Sequence, residues 1–233
     1  MKNFRYELHC HTRESSKCGR IPARDVVKRH RDAGYQGIVI TDHFNEENFQ
    51  LSPMKSWGKR VDRFLKGFRL AAEEGRRWDM DVFWGLELRF TGNDNDYLVY
   101  GMTEELVKSS PYLNRTDIFQ FMSFLGNRDD VLVYQAHPFR AGCKLVDPLV
   151  VQGLETYNGN PRHDSRNDLA AEVVQQKGLL ALSGSDFHRP EDLATGGILL
   201  PRRIRTLSEL VENLKILGPE NLVTDKFLPS VKT

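Results

Sequence analysis

The chain has 233 residues, enough for one substantial core, and its 33 Lys+Arg against 32 Asp+Glu leave a formal net charge of +1. Charges this balanced set up no strong field toward long nucleic acid or an anionic membrane. Three cysteines are too few, and odd in number, for a secreted disulfide framework, so a reducing, cytoplasmic setting is expected. The opening "MKNFRYELHC" is too interrupted by charge to be a signal-peptide core, and no later run approaches the roughly 20 apolar residues of a membrane span.

In chain order, short β-like runs alternate with helical ones. The runs "FRYELH", "GIVIT", "DVFWGLEL", "YLVYG", "VLVYQAH", "GLETYN" and "LLALSGSD" read as strands. Between the first two, "IPARDVVKRHRDAG" places Val26, Val27 and His30 on roughly one face, with Pro22 near its start and Gly34 beyond its end, a helix with His30 in its packing or on its outer face. From Ser52 to Arg77, Trp57, Val61, Leu65, Phe68 and Ala72 follow a three-and-four spacing that predicts one long helix, weakened at Gly58 and Gly67. Further helices are expected at "RTDIFQFMSFL", "DSRNDLAAEVVQQKG" and "TLSELVENLKILG", the last opened by a Thr206/Glu209 capping box. No linker divides the chain, so residues 1–233 read as a single α/β domain of five to eight parallel strands, either a barrel or an open doubly wound sheet. The tail "PENLVTDKFLPSVKT" reads as a poorly anchored extension.

Chemistry gathers at the strand ends. Side chains alternate along a strand, so His9 and His11 in "ELHCH" face the same way and can reach one cation, while Cys10 turns into the wall. By itself a His-x-His pair is weak evidence. The pattern recurs, however: "GIVITDHF" delivers Asp42 and His43, "VFWGLELRF" Glu87, "VLVYQAHPF" His137 and "LLALSGSDFH" Asp186 with His188. Carboxyl ends of parallel strands converge on one face, and ionisable groups buried there cost several kcal/mol unless paired or metal-bound.

With its motifs in the order "HCH", "TDH", "GLE", "AHP" and "GSDFH", the segment from Glu7 to Arg189 resembles the polymerase and histidinol phosphatase (PHP) family, in its small stand-alone phosphoesterase branch. That resemblance implies a distorted seven-stranded (β/α) barrel of TIM type with two or three divalent ions (zinc, manganese or iron) at its carboxyl face. It implies that His9, His11, Glu87 and Asp186 hold one ion, Glu87 bridges to a second with His137, and His43 and His188 hold a third. Two positions depart from the family. Asp96 stands where many relatives have histidine and could replace it as an oxygen donor to a metal, and Ser16 and Lys17 stand where relatives carry an aspartate or histidine ligand; Glu14 or Cys18 are candidates for that place, with the Lys17 ammonium as an alternative occupant.

The implied reaction is hydrolysis of a small phosphorylated metabolite or nucleotide by a metal-bound hydroxide, with Glu87, His43, Asp186 and His188 as catalytic candidates. Arg140, Arg162 and His163 are candidates to grip phosphate, as is Lys17, although a surface role is the more expected one for that loop lysine. Asp42 reads either as a carboxylate orienting His43 or as a turn residue. Competing readings are a histidinol-phosphate-type monoesterase, a catalytically weakened metal-binding regulatory module, and metal-assisted cleavage of a carbon–nitrogen or carboxylic ester bond.

Overall fold

A computed structural model describes residues 3–50 and 56–224. Its strands are β1 (Phe4–Glu7), β2 (Gly37–Ile40), β3 (His43–Phe44), β4 (Asp81–Arg89), β5 (Asp96–Tyr100), β6 (Leu132–Gln135), β7 (Gly153–Asn158), β8 (Leu180–Gly184) and β9 (Ile198–Leu200). The helices are α1 (Ala23–Asp32), α2 (Glu46–Gln50), α3 (Trp57–Phe64), α4 (Lys66–Arg77), α5 (Glu104–Ser109), α6 (Ile118–Leu125), α7 (Asn167–Lys177) and α8 (Leu207–Lys215).

All seven expected runs contribute a strand, joined in the order β8-β7-β6-β5-β4-β2-β1-β9, with β3 added beside β4. The sheet curls almost into a closed, distorted (β/α) barrel. Just past β1 and β8, His11 N donates to Phe187 O at 3.0 Å and Phe187 N donates to His9 O at 3.0 Å, stitching the two ends together. Gly184 permits the approach, because a Cβ there would lie 2.4 Å from that of His9. Inside, Tyr6, Leu8, Leu98, Tyr100, Tyr134 and Leu182 are fully buried, and Tyr100 donates its hydroxyl to Leu8 O at 2.8 Å. The barrel is therefore a packed core rather than a pore, each such side chain contributing roughly 1.5–3 kcal/mol.

Three expectations are corrected. The strands are not all parallel: β5 runs antiparallel to both β4 and β6, and β9 runs antiparallel to β1. Reversal of β5 carries its first residue, Asp96, to the barrel end where β4 finishes. The long helix is interrupted at Leu65, whose ψ of −1° departs from helical geometry, giving α3 and α4; residues 51–55 of the expected span lie outside the described residues. Beside the break, a Cβ on Gly67 would lie 2.0 Å from Thr12 Oγ1, and the Gly67 N–H is taken by Ser15 Oγ at 2.9 Å, so α4 begins pressed against the loop after His11. The start of the tail is anchored, since Val223 N donates to Gly197 O at 2.8 Å and Val223 O accepts from Ser183 Oγ at 2.6 Å. Residues 225–233 of that tail lie outside the described residues.

The capping logic holds at two helices. Thr206 and Glu209 form the expected box at α8, and Asp117 forms another with Gln120 at α6. His30 is fully buried on the inner face of α1, with its Nδ1 2.9 Å from Val26 O. Among the described residues no helix is long and apolar enough to cross a membrane.

Candidate metal centre

Glu87, fully buried near the end of β4, is the hub of the carboxyl face. Register sets its first neighbour: β3 and β4 pair with His43 directly opposite Glu87, and His43 Nδ1 lies 2.8 Å from Glu87 Oε2. From the segment after β1, His9 Nε2 reaches 3.2 Å from Oε1 and His11 Nε2 reaches 3.2 Å from Oε2. His137, after β6, places Nε2 3.3 Å from Oε1. Asp186, after β8, presents Oδ1 at 3.4 Å from both His9 Nε2 and His11 Nε2. Four overlapping groups bring one donor atom per residue within 4.8 Å of one another: His9/His11/Glu87, His9/His137/Asp186, His11/His43/His188 and His43/Glu87/Asp96. All eight residues implied as metal ligands thus meet at one place.

Whether this set suits cations is decided by where its protons sit. His9 Nδ1 is 2.8 Å from Glu155 Oε1, an acceptor-only carboxylate, so Nδ1 carries the hydrogen and the Nε2 lone pair faces the hub. The Ser16 hydroxyl donates to Asp42 Oδ1 at 2.7 Å, so it accepts from His11 Nδ1 at 3.3 Å and leaves that Nε2 bare as well. His188 Nδ1 lies 2.8 Å from Asp186 O, which orients its Nε2 outward by the same reasoning. Accordingly, His9 Nε2, His11 Nε2, His43 Nδ1 and Glu87 Oε2 are buried without an aligned hydrogen-bond partner. Several buried lone pairs converging on one place are costly unless a cation stands among them, and imidazole with carboxylate suits zinc, iron or manganese.

Against burial, which lowers both, Glu155 and Glu87 raise His9 and Glu87 raises His43 well above the usual imidazole range, so a bound cation competes with protons for these nitrogens. Burial alone would raise Glu87, but the charges of His43 and His9 hold it well below the usual carboxylate range; Asp186 is held low likewise by His9 and His188. Burial lowers His11, and the charges of His188 and His43 push it further down. His137 and Asp186 adopt φ of +30° and +51°, a left-handed region that costs a side-chain-bearing residue on the order of 1–3 kcal/mol. Glu155 Oε2 accepts the His137 N–H at 3.0 Å and helps to hold that turn.

The residues expected to meet phosphate divide. Arg140, Arg162 and His163 line a cavity of about 570 Å³ that opens onto the hub. Arg140 Nη2 donates to Asp186 Oδ2 at 2.8 Å, to Asn158 Oδ1 at 2.8 Å and to Ser165 Oγ at 3.1 Å, and Arg162 is paired with Asp192. Lys17 is paired with Glu47 at the surface and does not line that cavity. Asp42 serves the loop rather than the His43 ring. It accepts from Thr12 N, Thr12 Oγ1 and Ser16 Oγ, and Ser16 Oγ in turn accepts the His43 backbone N–H at 2.9 Å. Burial raises Asp42 to about 7 despite those bonds.

Two residues escaped the sequence reading. Glu155 lies in the apolar run "GLETYN", as Glu87 lies in "VFWGLELRF", and the same signal of a carboxylate inside a buried strand marks both. Arg89 sits opposite Asp96 in the β4–β5 ladder, binds both its oxygens and lines the cavity; nothing local to the sequence distinguishes it from a surface arginine.

The PHP domain family matches residues 7–223. Similar solved structures include a two-domain protein from Bacteroides vulgatus containing a predicted PHP-like metal-dependent phosphoesterase (TM-score 0.66, 15% identity, 92% of this chain and 63% of that one). PsfC from Pseudomonas syringae is also similar (TM-score 0.65, 18% identity, 91% and 88%), as is an amidohydrolase from Chromobacterium violaceum with bound sulfate and no metal (TM-score 0.52, 17% identity, 90% and 96%). A PolC-type DNA polymerase III from Latilactobacillus sakei is 26% identical over 109 residues, 47% of this chain but 6% of the polymerase. With the family match running through every motif that builds the hub, the chain belongs to the PHP domain family.

Proposed function

We propose that the protein is a metal-dependent phosphoesterase acting on a small phosphorylated metabolite or nucleotide, with His9, His11, His43, Glu87, Asp96, His137, Asp186 and His188 as the residues available to two or three divalent ions. The observation that carries this reading is the convergence of unpartnered buried lone pairs on Glu87 beneath a cavity rimmed by Arg20, Arg89, Arg140, Arg162 and Arg189. Divalent ions at such a site lower the pKa of a water toward 7 and neutralise phosphoryl charge.

The chain's own groups do the rest. Glu87 and Asp186 supply the negative charge that retains cations, and the Nδ1 bonds of His9, His11 and His188 fix the orientation of their Nε2 atoms. Arg140 is oriented by three bonds, all through Nη2. Its Nε, buried and without a partner, is a donor left for a phosphate oxygen. The small cavity and balanced charge favour a compact substrate over a long nucleic acid.

The test is a colorimetric phosphate-release assay on protein loaded with manganese, zinc or iron, over a panel of monoesters, diesters and amides. Monoester or diester turnover is expected, falling at least about 100-fold in Glu87→Ala, because a direct ligand matters more than the outer partners whose loss costs up to that much. Unchanged turnover in Glu87→Ala refutes the reading. Metal uptake without turnover on any substrate favours a regulatory module, and amide cleavage alone a carbon–nitrogen hydrolase.

A further inference from the structure

The loop between His11 and α1 runs as "TRESSKCG", and each of its candidate donors but one is committed elsewhere. Glu14 Oε2 accepts the Ala23 N–H at 2.9 Å at the start of α1. Ser16 gives its hydroxyl proton to Asp42 and receives the His43 N–H. The Lys17 ammonium is paired with Glu47. Cys18 remains. Its Sγ lies 3.1 Å from His188 Nε2, the nitrogen left without a hydrogen by the bond from Nδ1 to Asp186 O. It lines the central cavity together with His43 and His188.

The thiol is held there by the backbone. Ser16 N and Gly19 N close turns to Thr12 O and Ser16 O at 2.9 and 3.1 Å, and Arg20 N donates to His188 O at 2.9 Å, so the loop is tied directly to the segment that carries His188. On the inner side, His11 is fully buried with Nε2 unpartnered, and it offers one nitrogen within 4.8 Å of those from His43 and His188. Cys18 therefore stands beside a group of three imidazoles, in contact with its His188 member.

Resting on the metal-centre reading above, we propose that Cys18 is a thiolate ligand to a metal position shared with His43 and His188 and flanked by His11. On binding, the thiol proton leaves to solvent and a sulfur–metal bond forms, with no change of oxidation state. A thiolate is a soft donor, so this position takes zinc or ferrous iron in preference to manganese or magnesium. The Glu87 hub, built of nitrogen and oxygen donors, carries no such bias.

Cobalt(II) separates the two environments, because only a sulfur ligand adds an intense near-ultraviolet thiolate-to-metal charge-transfer band to the weaker visible bands of nitrogen and oxygen coordination. Cobalt titration of the full chain is expected to show that band. Cys18→Ser abolishes it and loses one cobalt equivalent, or weakens that equivalent by at least about tenfold. Cys18→His keeps the equivalent and lacks the band. Cys143→Ser is the control, since Cys143 Sγ lies 3.8 Å from His137 Nδ1, and it leaves the band intact. A band that survives Cys18→Ser, or that disappears with Cys143→Ser, overturns the proposal. Visible cobalt bands without a charge-transfer band in the unmodified protein overturn it while leaving the Glu87 centre standing; no cobalt uptake at all overturns both.

Discussion

Strand β4 carries a buried carboxylate at each end, and the two are treated oppositely. Asp81, at its start, receives Arg203 Nε at 2.6 Å, Arg203 Nη2 at 2.8 Å and the Tyr6 hydroxyl at 3.1 Å, so both oxygens are satisfied by the protein itself. Glu87, six residues on, has four imidazoles around it, yet His137 alone makes an aligned bond, and Oε2 has none although His43 lies 2.8 Å away. Both are buried, Glu87 completely and Asp81 to within 8%. Asp81, which helps to hold the fold together, has its acceptor capacity filled, whereas Glu87 keeps an acceptor unfilled.

Removing the partner at the satisfied end produces the largest expected loss of stability. Arg203→Met strands Asp81 without its guanidinium, and loss of one member of a buried pair costs about 3–5 kcal/mol. The lower end applies, because Arg205 Nη1 stands 3.5 Å from Asp81 Oδ1 and takes part of the load. Urea unfolding is expected to show the loss while metal content per folded molecule stays constant. A loss below about 1 kcal/mol, or a fall in bound metal, would break the contrast between the two ends.

His30 limits the same contrast, being a buried imidazole away from the hub whose Nε2 has no aligned partner and lies 4.0 Å from Glu7 Oε2. Burial lowers its pKa from 6.5 to about 4, against the bond from its Nδ1 to Val26 O. The unfolded chain takes up this proton near pH 6.5 and the folded chain only near 4. The contribution to stability is therefore fully present above pH 6.5 and is lost as pH falls through about 4, a span of about 3 kcal/mol. His30→Gln should remove this part of the acid sensitivity. Unfolding free energies of both proteins near pH 7 and near pH 4 check it, and parallel pH profiles would contradict the assignment.

Legibility followed physical range. The seven strands that appear were written in apolar runs of four or more residues, but β3 and β9 hold two and three residues, too few to display a period. The reversal of β5 had a signal that went unused: six residues separate Arg89 from Asp96, and a parallel return needs a crossover of a dozen or more. The break at Leu65 depends on the approach of α4 to Thr12 and Ser15, a contact between distant segments that only Gly67 hinted at. Residues of the candidate centre stood out because His or a carboxylate at the end of an apolar strand is conspicuous. Arg89 and the Asp42–Ser16–His43 chain did not, since their meaning lies in cross-strand register and in hydrogen bonds between loops.

Glu155 tests whether a buried carboxylate can belong to neither class. All its bonds serve the metal centre indirectly: Oε1 faces His9 Nδ1, and Oε2 accepts from His137 N and from Asn158 Nδ2 at 2.9 Å. Glu155→Gln preserves shape, but its amide has one accepting oxygen and one donating nitrogen. Either the nitrogen confronts the two N–H donors at Oε2, or it faces His9 Nδ1 and forces the imidazole to turn its hydrogen toward the hub. Both arrangements spoil a ligand without emptying the core, so zinc affinity measured by competition with a chromogenic chelator should fall about 10–100-fold. A variant that binds zinc as tightly as the unmodified chain while unfolding more readily would place Glu155 with Asp81, as a carboxylate whose work is confined to the fold.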